Sequence, residues 1–278
     1  MTIPILLLLL TGLLALLLWL GSRPGSFGTL YRQQIQACLE TLPPPGDRLT
    51  AADLQGLPPL LQVYLERCGA IGKPRVRGFR ARFRGRFRNG LDSPWMAFTS
   101  EQHNFVQPSA RLFLMRASLL GLPLQGYHDF VDDQAHFRIR LLSLFPLVDS
   151  QGAILNQSET VTLFNDFCVL APAALVDLPI QWTTVTPHSL RGVFTRGDQT
   201  VSALLTFDQV GDLVNFASPD RYFSPDGKTT ERWPWFTPMG QHRDFGDIRL
   251  PAYGEATWET PDGDFVYGEF HLQEIEYL

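Results

Sequence analysis

Residues 78–88 read GFRARFRGRFR, and their alternation decides the fold. Phe79, Ala81, Phe83, Gly85 and Phe87 share one parity, while Arg80, Arg82, Arg84, Arg86 and Arg88 share the other. Side chains of a strand point to opposite faces with a period of two, so this is a strand with one aromatic and one guanidinium face. Asn89-Gly90 then supplies a turn. Outward from it, residues 95–106, 111–119, 124–131 and 136–142 read as further strands. Toward the C-terminus, residues 158–176 contain a short helical stretch. Strands resume at 180–186, 189–196, 200–207, 212–217, 248–259 and 264–277. Toward the N-terminus, 27–41 has helical spacing and is expected to continue the anchor described below as a juxtamembrane helix. Pro43-Pro44-Pro45-Gly46 breaks it, and a second short helix is expected from Leu60 to Cys68.

Short strands joined by turns, without alternating long helices, predict antiparallel rather than doubly wound structure. The expected class is mainly β with minor α: one curved antiparallel sheet or half-barrel with one or two covering helices, preceded by an N-terminal transmembrane helix. The expected division is an anchor over 1–22, a juxtamembrane helix and linker over 23–52, and a single β-rich domain over 53–278.

The anchor rests on residues 3–20, IPILLLLLTGLLALLLWL. Eighteen residues in a helix span about 27 Å, just enough for a hydrocarbon core. Trp19 stands where an indole suits the membrane interface. No basic residue precedes the run, and LWLGSRPGS is a poor signal-peptidase site, so an uncleaved single-pass anchor is expected. Arg23 and Arg32 follow the span; two arginines leave the side of the membrane open.

Charge is split along the chain. Residues 1–140 hold 16 Lys and Arg against 9 Asp and Glu, whereas residues 141–278 hold 7 against 19. The simplest cause is early basic strands lying beside late acidic ones. The acidic total and the lack of a binding motif exclude a nucleic-acid partner. Cys38, Cys68 and Cys168 form neither a disulfide framework nor a zinc signature.

Catalytic templates are missing: there is no G-x-S-x-G elbow, H-E-x-x-H pair or Walker loop. Asp226-Gly227-Lys228-Thr229 reads as a turn. Glu101 and His103 share a strand face, a pattern common on outward faces. The run from His128 and Asp129 through Asp132, Asp133 and His136 reads as a hairpin, because neighbouring strand residues face apart. Asn156-Gln157-Ser158 matches a glycosylation pattern. The aromatic turn Arg232-Trp233-Pro234-Trp235-Phe236 is expected either to project as a membrane or gating loop or to plug one end of a sheet.

FRGRFRNGLDSPWMAFTSEQHNF, LQGYHDFVDDQAHFRIRLLSLFPLVDS and SETVTLFNDFCVLAPAAL together resemble an uncharacterised bacterial family whose members often carry N-terminal membrane helices. The resemblance covers roughly 55–278 and is most specific at 95–102, WMAFTSEQ, and at Leu147-Val148-Asp149. It implies no activity and no catalytic residue. The family's architecture is similar to the half-barrel of periplasmic lipoprotein carriers.

The expected function is binding or carriage of a hydrophobic or lipidic ligand at the membrane, without cofactor or metal. The expected ligand face is Phe79, Phe83, Phe87, Trp95, Phe98, Phe113 and Phe137. Arg80, Arg82, Arg84, Arg86 and Arg88 are candidates for anionic headgroups. Membrane lipid is the expected partner. The alternative is a structural or assembly subunit meeting a membrane-protein partner.

Overall fold

The computed structural model describes residues 2–23, 25–224 and 229–278, leaving aside the side chains at 2, 3, 9, 14, 17, 18 and 20–22. Its centre is a 13-stranded sheet in the order β6-β5-β4-β3-β2-β1-β15-β14-β13-β10-β9-β8-β7. The first limb comprises β1 (Gly78–Phe87), β2 (Met96–Phe105), β3 (Ala110–Leu119), β4 (Leu122–Val131), β5 (Gln134–Leu141) and β6 (Phe145–Gln151). The second comprises β7 (Ile180–Thr186), β8 (Ser189–Arg196), β9 (Gln199–Phe207), β10 (Leu213–Ser218), β13 (Trp235–Phe245), β14 (Ile248–Thr260) and β15 (Gly263–Tyr277). Neighbouring strands pair antiparallel, and β11 (Tyr222–Phe223) with β12 (Glu231–Arg232) makes a separate ribbon. The limbs join where β1 pairs with β15.

This pairing explains the charge split. Arg80 lies beside Glu274 and Glu276, Arg82 beside Glu274 and Glu101, and Arg86 beside Glu269. The basic strand of one half is thus neutralised mainly by the acidic strand of the other. Gly85 is required here: a Cβ would stand 2.1 Å from the Glu269 carbonyl oxygen and 2.6 Å from Phe98 Cζ.

Two helices cover opposite faces of the first limb. α2 (Phe27–Glu40) packs Phe27, Tyr31 and Cys38 against Phe105, Leu112, Leu114 and Tyr127. α4 (Ala153–Leu170) lies on the other face, with Val161, Phe164 and Phe167 in a core that includes Phe79, Ala81, Phe83 and Phe130. Every residue of α4 from Ser158 to Cys168 is buried, so the helix fills the interior. Replacing Phe164 or Phe167 by Ala would leave a void costing about 3–5 kcal/mol. α3 (Pro59–Arg67) packs near β8.

Two strands depart from expectation. β6 contains Pro146 and a register shift opposite Ile139 and Arg140, which disguise the alternation; Pro is tolerated because β6 is an edge. β13 contains Pro238, Gly240 and a polar end, His242-Arg243-Asp244, so its pattern reads as loop.

α1 (Thr2–Ser22) is helical, and α2 is a separate helix rather than its continuation, beginning at an N-cap where Ser26 accepts from the Thr29 amide. Among the described residues no helix is long and apolar enough to cross a membrane, and several side chains of the span expected at 3–20 lie outside those described. The described apolar side chains of α1, Ile5, Leu6, Leu7, Leu8, Leu10, Leu13, Leu16 and Trp19, are exposed.

Candidate functional site

Strand parity sorts the first limb into two surfaces. Leu112, Leu114 and Tyr127 face α2 and are fully buried. Arg111, Phe113, Met115 and Ala117 face the other way, toward the side carrying α4. Register carries that surface across the limb. Arg111 stands beside Phe130, Phe113 beside His128, Met115 beside Gly126 and Ala117 beside Leu124; the next strand continues with Ala135, Phe137, Ile139 and Leu141.

α4 crosses only one end of this face. There it builds a buried ionic cluster. Arg111 donates from Nε to Asp166 at 2.7 Å and from Nη1 to Glu159 at 3.2 Å. Gln102 and Asn104 also donate to Asp166, at 2.6 and 3.1 Å, and Thr162 donates to Glu159 at 3.1 Å. Arg221 approaches Glu159 at 3.8 Å. Burial pushes the Glu159 carboxyl up, but His128, Arg111 and Arg221 outweigh it and hold it below the usual carboxylate range. Burial pulls the His128 imidazole down to about 4, so it is neutral at pH 7. Its Nε2 lies 3.3 Å from Glu159 without forming a hydrogen bond.

Beyond α4 the same face is apolar and half-buried. Phe87, Met96, Phe113, Met115, Phe137, Ile139 and Leu141 are intermediate in exposure. The row is continuous, and Met115 lies over Gly126, where a Cβ would meet its Cε at 3.2 Å.

Six of the seven expected ligand-face aromatics share this face. Phe79 is buried against Tyr277; Phe83 and Phe98 pack on Phe270, with Phe87 on Phe98. Phe113 lies 5.1 Å from the Arg111 guanidinium and Phe137 lies 4.8 Å from the His128 ring. Trp95 is elsewhere: Arg86 and Arg88 stack on it at 4.6 and 4.7 Å. Of the arginine row, Arg80, Arg82 and Arg86 face carboxylates, Arg88 donates to the carbonyls of Val266 and Leu91, and Arg84 is exposed.

The other sequence features separate. His128 faces α4, whereas Asp129 faces α2 and binds Arg138 and Gln34. His136 meets Asp149 at 2.6 Å on the outer side. Among the described residues no group of three or more His, Cys, Asp or Glu is placed to hold a metal ion. Glu101 and His103 do share a face, but Glu101 is engaged by Arg82, and His103 Nδ1 meets Tyr31 Oη at 2.7 Å. Burial pulls His103 down to about 4. Asn156 and Ser158 are buried in α4. The turn at 226–229 lies largely outside the described residues. Trp235 is buried with its indole donating to Tyr267, and Trp233 stacks on Phe223 at 4.5 Å, so the aromatic turn packs inward. A pocket of about 280 Å³ between α2 and the sheet is lined by Leu30, Gln33, Gln34, Ala37, Asp129, His136 and Arg138.

Sequence reasoning missed Met115, Ile139 and Leu141 on the apolar row, and the whole ionic cluster. A signal for the cluster exists. Glu159 and Asp166 stand seven residues apart, two helical turns, and are the only charged residues of α4.

A family model described as "Family of unknown function (DUF6544)" matches residues 47–270. No curated protein matches the chain. Among solved structures, the chain is similar to a putative outer membrane lipoprotein-sorting protein domain from Vibrio parahaemolyticus, at 10% identity, 78% of this chain, 91% of that chain and a TM-score of 0.42. It is also similar to a LolA superfamily protein from Nitrosomonas europaea, at 9% identity, 78% of this chain, 93% of that chain and a TM-score of 0.46. A DUF1329 family protein from Desulfovibrio piger gives 10%, 78%, 91% and 0.40. At these values the likeness concerns the course of the chain and carries no function with it.

Proposed function

Because this chain belongs to that family of unknown function, no activity comes with membership, and we propose one from its own geometry: α1 holds the β domain at a bilayer, and a hydrophobic or lipidic ligand lies along the half-buried apolar row of β1–β6. The described large side chains of α1 are apolar and exposed, and such a surface calls for an apolar surrounding. The observation that carries the ligand reading is the contrast across β3. Leu112 and Leu114 are sealed under α2, whereas Met115, one residue on, stays half-exposed together with Phe113 and Ile139. Apolar surface in that state gains from a ligand that covers it.

The ligand lies on an open face. α4 occupies the deep interior, and the pockets of about 280 and 300 Å³ stand elsewhere and sit at the lower limit for enclosed ligands. The buried arginines and carboxylates at α4 end the apolar row, which gives it one closed, polar end.

The test is lipid extraction and native mass spectrometry of the full chain purified in mild detergent, as wild type and with Met115→Glu or Ile139→Asp. Wild type should retain lipid at about one molecule per chain, and either charge should reduce that at least about tenfold. Wild type without retained lipid, or equal retention by the variants, contradicts the reading.

A second reading, an assembly subunit, has one specific support. β7 is an open edge whose Thr183, Thr184, Val185 and Thr186 are exposed, and an added strand from a partner fits such an edge. Crosslinking from Thr184 in gently solubilised membranes would capture a stoichiometric partner or exclude this.

A further inference from the structure

Successive antiparallel hairpins of the first limb turn at alternate ends. The β3–β4 and β5–β6 turns therefore share one end, and the β4–β5 turn lies at the other. The first two read LLGLPL over 119–124 and LLSLFPL over 141–147; the third is Asp132-Asp133. Leu120 is 95% exposed, Phe145 57%, Leu147 52%, Leu122 43% and Leu144 40%. Single exposed leucines are ordinary, but five large apolar side chains on two adjacent tips form a patch.

The backbone sharpens this. Leu120, Leu142 and Ser143 have φ of 52°, 54° and 59°. Turns of this hand favour Gly, Asn and Asp, whose side chains tolerate the left-handed region. Asp132 and Asp133, at 50° and 60°, follow that preference. Leu120 is thus disfavoured twice, by its backbone and by its contact with water, unless something apolar covers it.

α1 identifies what covers it. Arg23, just after α1, donates to the Ser143 carbonyl at 2.6 Å, and Arg140 donates to the Gly25 carbonyl at 3.1 Å. The apolar helix therefore leaves the fold against the β5–β6 tip. Arg116 is exposed nearby on β3 and, with Arg23 and Arg140, gathers three guanidinium groups behind the apolar tips, a charge arrangement complementary to phosphate headgroups.

We infer that the tips at 119–123 and 141–147 dip into the same phospholipid bilayer that receives α1, forming a lip at the mouth of the apolar row. This rests on the reading that α1 lies in a bilayer. The row of Met115, Ile139 and Leu141 leads directly to these tips, so a lipid acyl chain passes from bilayer to row without crossing water.

Nitroxide labels test the lip in the full chain, reconstituted in vesicles of phosphatidylcholine with phosphatidylglycerol. Cys38, Cys68 and Cys168 are buried, so L120C, F145C and, as control, V210C carry the label. Val210 is 55% exposed and lies in the β9–β10 turn. Accessibility to oxygen over a water-soluble nickel chelate should be at least about threefold higher at 120 and 145 than at 210. Equal ratios at the three positions, in chain that floats with the vesicles, overturn the lip and leave the anchor standing. Chain that fails to float overturns the anchor and the lip together. Nickel protection at 120 that persists without vesicles and rises with protein concentration assigns the patch to a second copy and overturns the proposal.

Discussion

At one end of β1–β6 the left-handed turn positions are filled by Asp132 and Asp133; at the other, similar positions are filled by Leu120, Leu142 and Ser143. The backbone demand is similar, so turn geometry did not choose the residues. Asp133 pairs with Arg196. Leu120 touches almost nothing in its own chain. The difference teaches that the two ends are suited to different surroundings, and that the leucine end is the one from which α1 departs.

The comparison also extends inward. Along the α4 face, the end near the Asp turn is closed by buried charge, and the end near the Leu tips is open and apolar. Arg111 holds the closed end together, so Arg111→Met leaves Glu159 and Asp166 buried without their main counter-charge. It should destabilise the fold by about 3–5 kcal/mol in denaturant titration of the full chain in mild detergent. A loss under about 1 kcal/mol would mean that the cluster does not close this end of the row.

Acid should reach the two faces of the limb together. His103, under α2, and His128, under α4, are both held neutral by burial, with pKa values near 4. Their folded values lie below the ordinary value near 6.5, so the unfolded chain binds more protons as pH falls. Their contribution is complete above about pH 6.5 and is lost toward pH 4, on the order of a few kcal/mol in all. Denaturation midpoints measured from pH 7 to 4 should fall across this window, and His128→Gln should flatten the slope.

Exchanging chemistry between the ends gives smaller effects with opposite signs. Leu120→Asn suits the left-handed turn and should stabilise the fold by about 1 kcal/mol while weakening vesicle contact at the tip. Asp132→Leu should cost about as much and gain no vesicle contact. A Leu120→Asn variant that is destabilised in detergent would break the comparison, because Leu120 would then be packing on something within the chain. The smallest effect belongs to the arginine row: Arg86→Ala removes a half-exposed guanidinium from its two-bonded pair with Glu269 and from the Trp95 ring, and should lower the unfolding midpoint only slightly.

The sheet was legible because 78–88 alternates without interruption, and the charge split correctly anticipated basic strands beside acidic ones. Phe79, Phe83, Phe87, Phe98, Phe113 and Phe137 fell on one face because parity and register follow from the pattern. Trp95 did not, because it precedes β2, where strand parity no longer holds. β6 and β13 were hidden by prolines and a register shift. The ionic cluster was hidden for a deeper reason. Its members come from β2, β3, β4, α4 and the segment after β10, and only the fold brings them together. The tips looked like ordinary apolar strand ends; their significance required the left-handed φ of Leu120 and the position of α1.

Hydroxyl-radical footprinting of the unaltered chain in lipid nanodiscs tests the central claim most directly, because oxidation rates follow side-chain contact with water. Leu120 and Phe145 should oxidise as slowly as buried Leu112, while Val210 and Val185 should oxidise at rates fitting their exposure. Leu120 oxidising faster than Val210, as its 95% exposure alone would dictate, would contradict that claim.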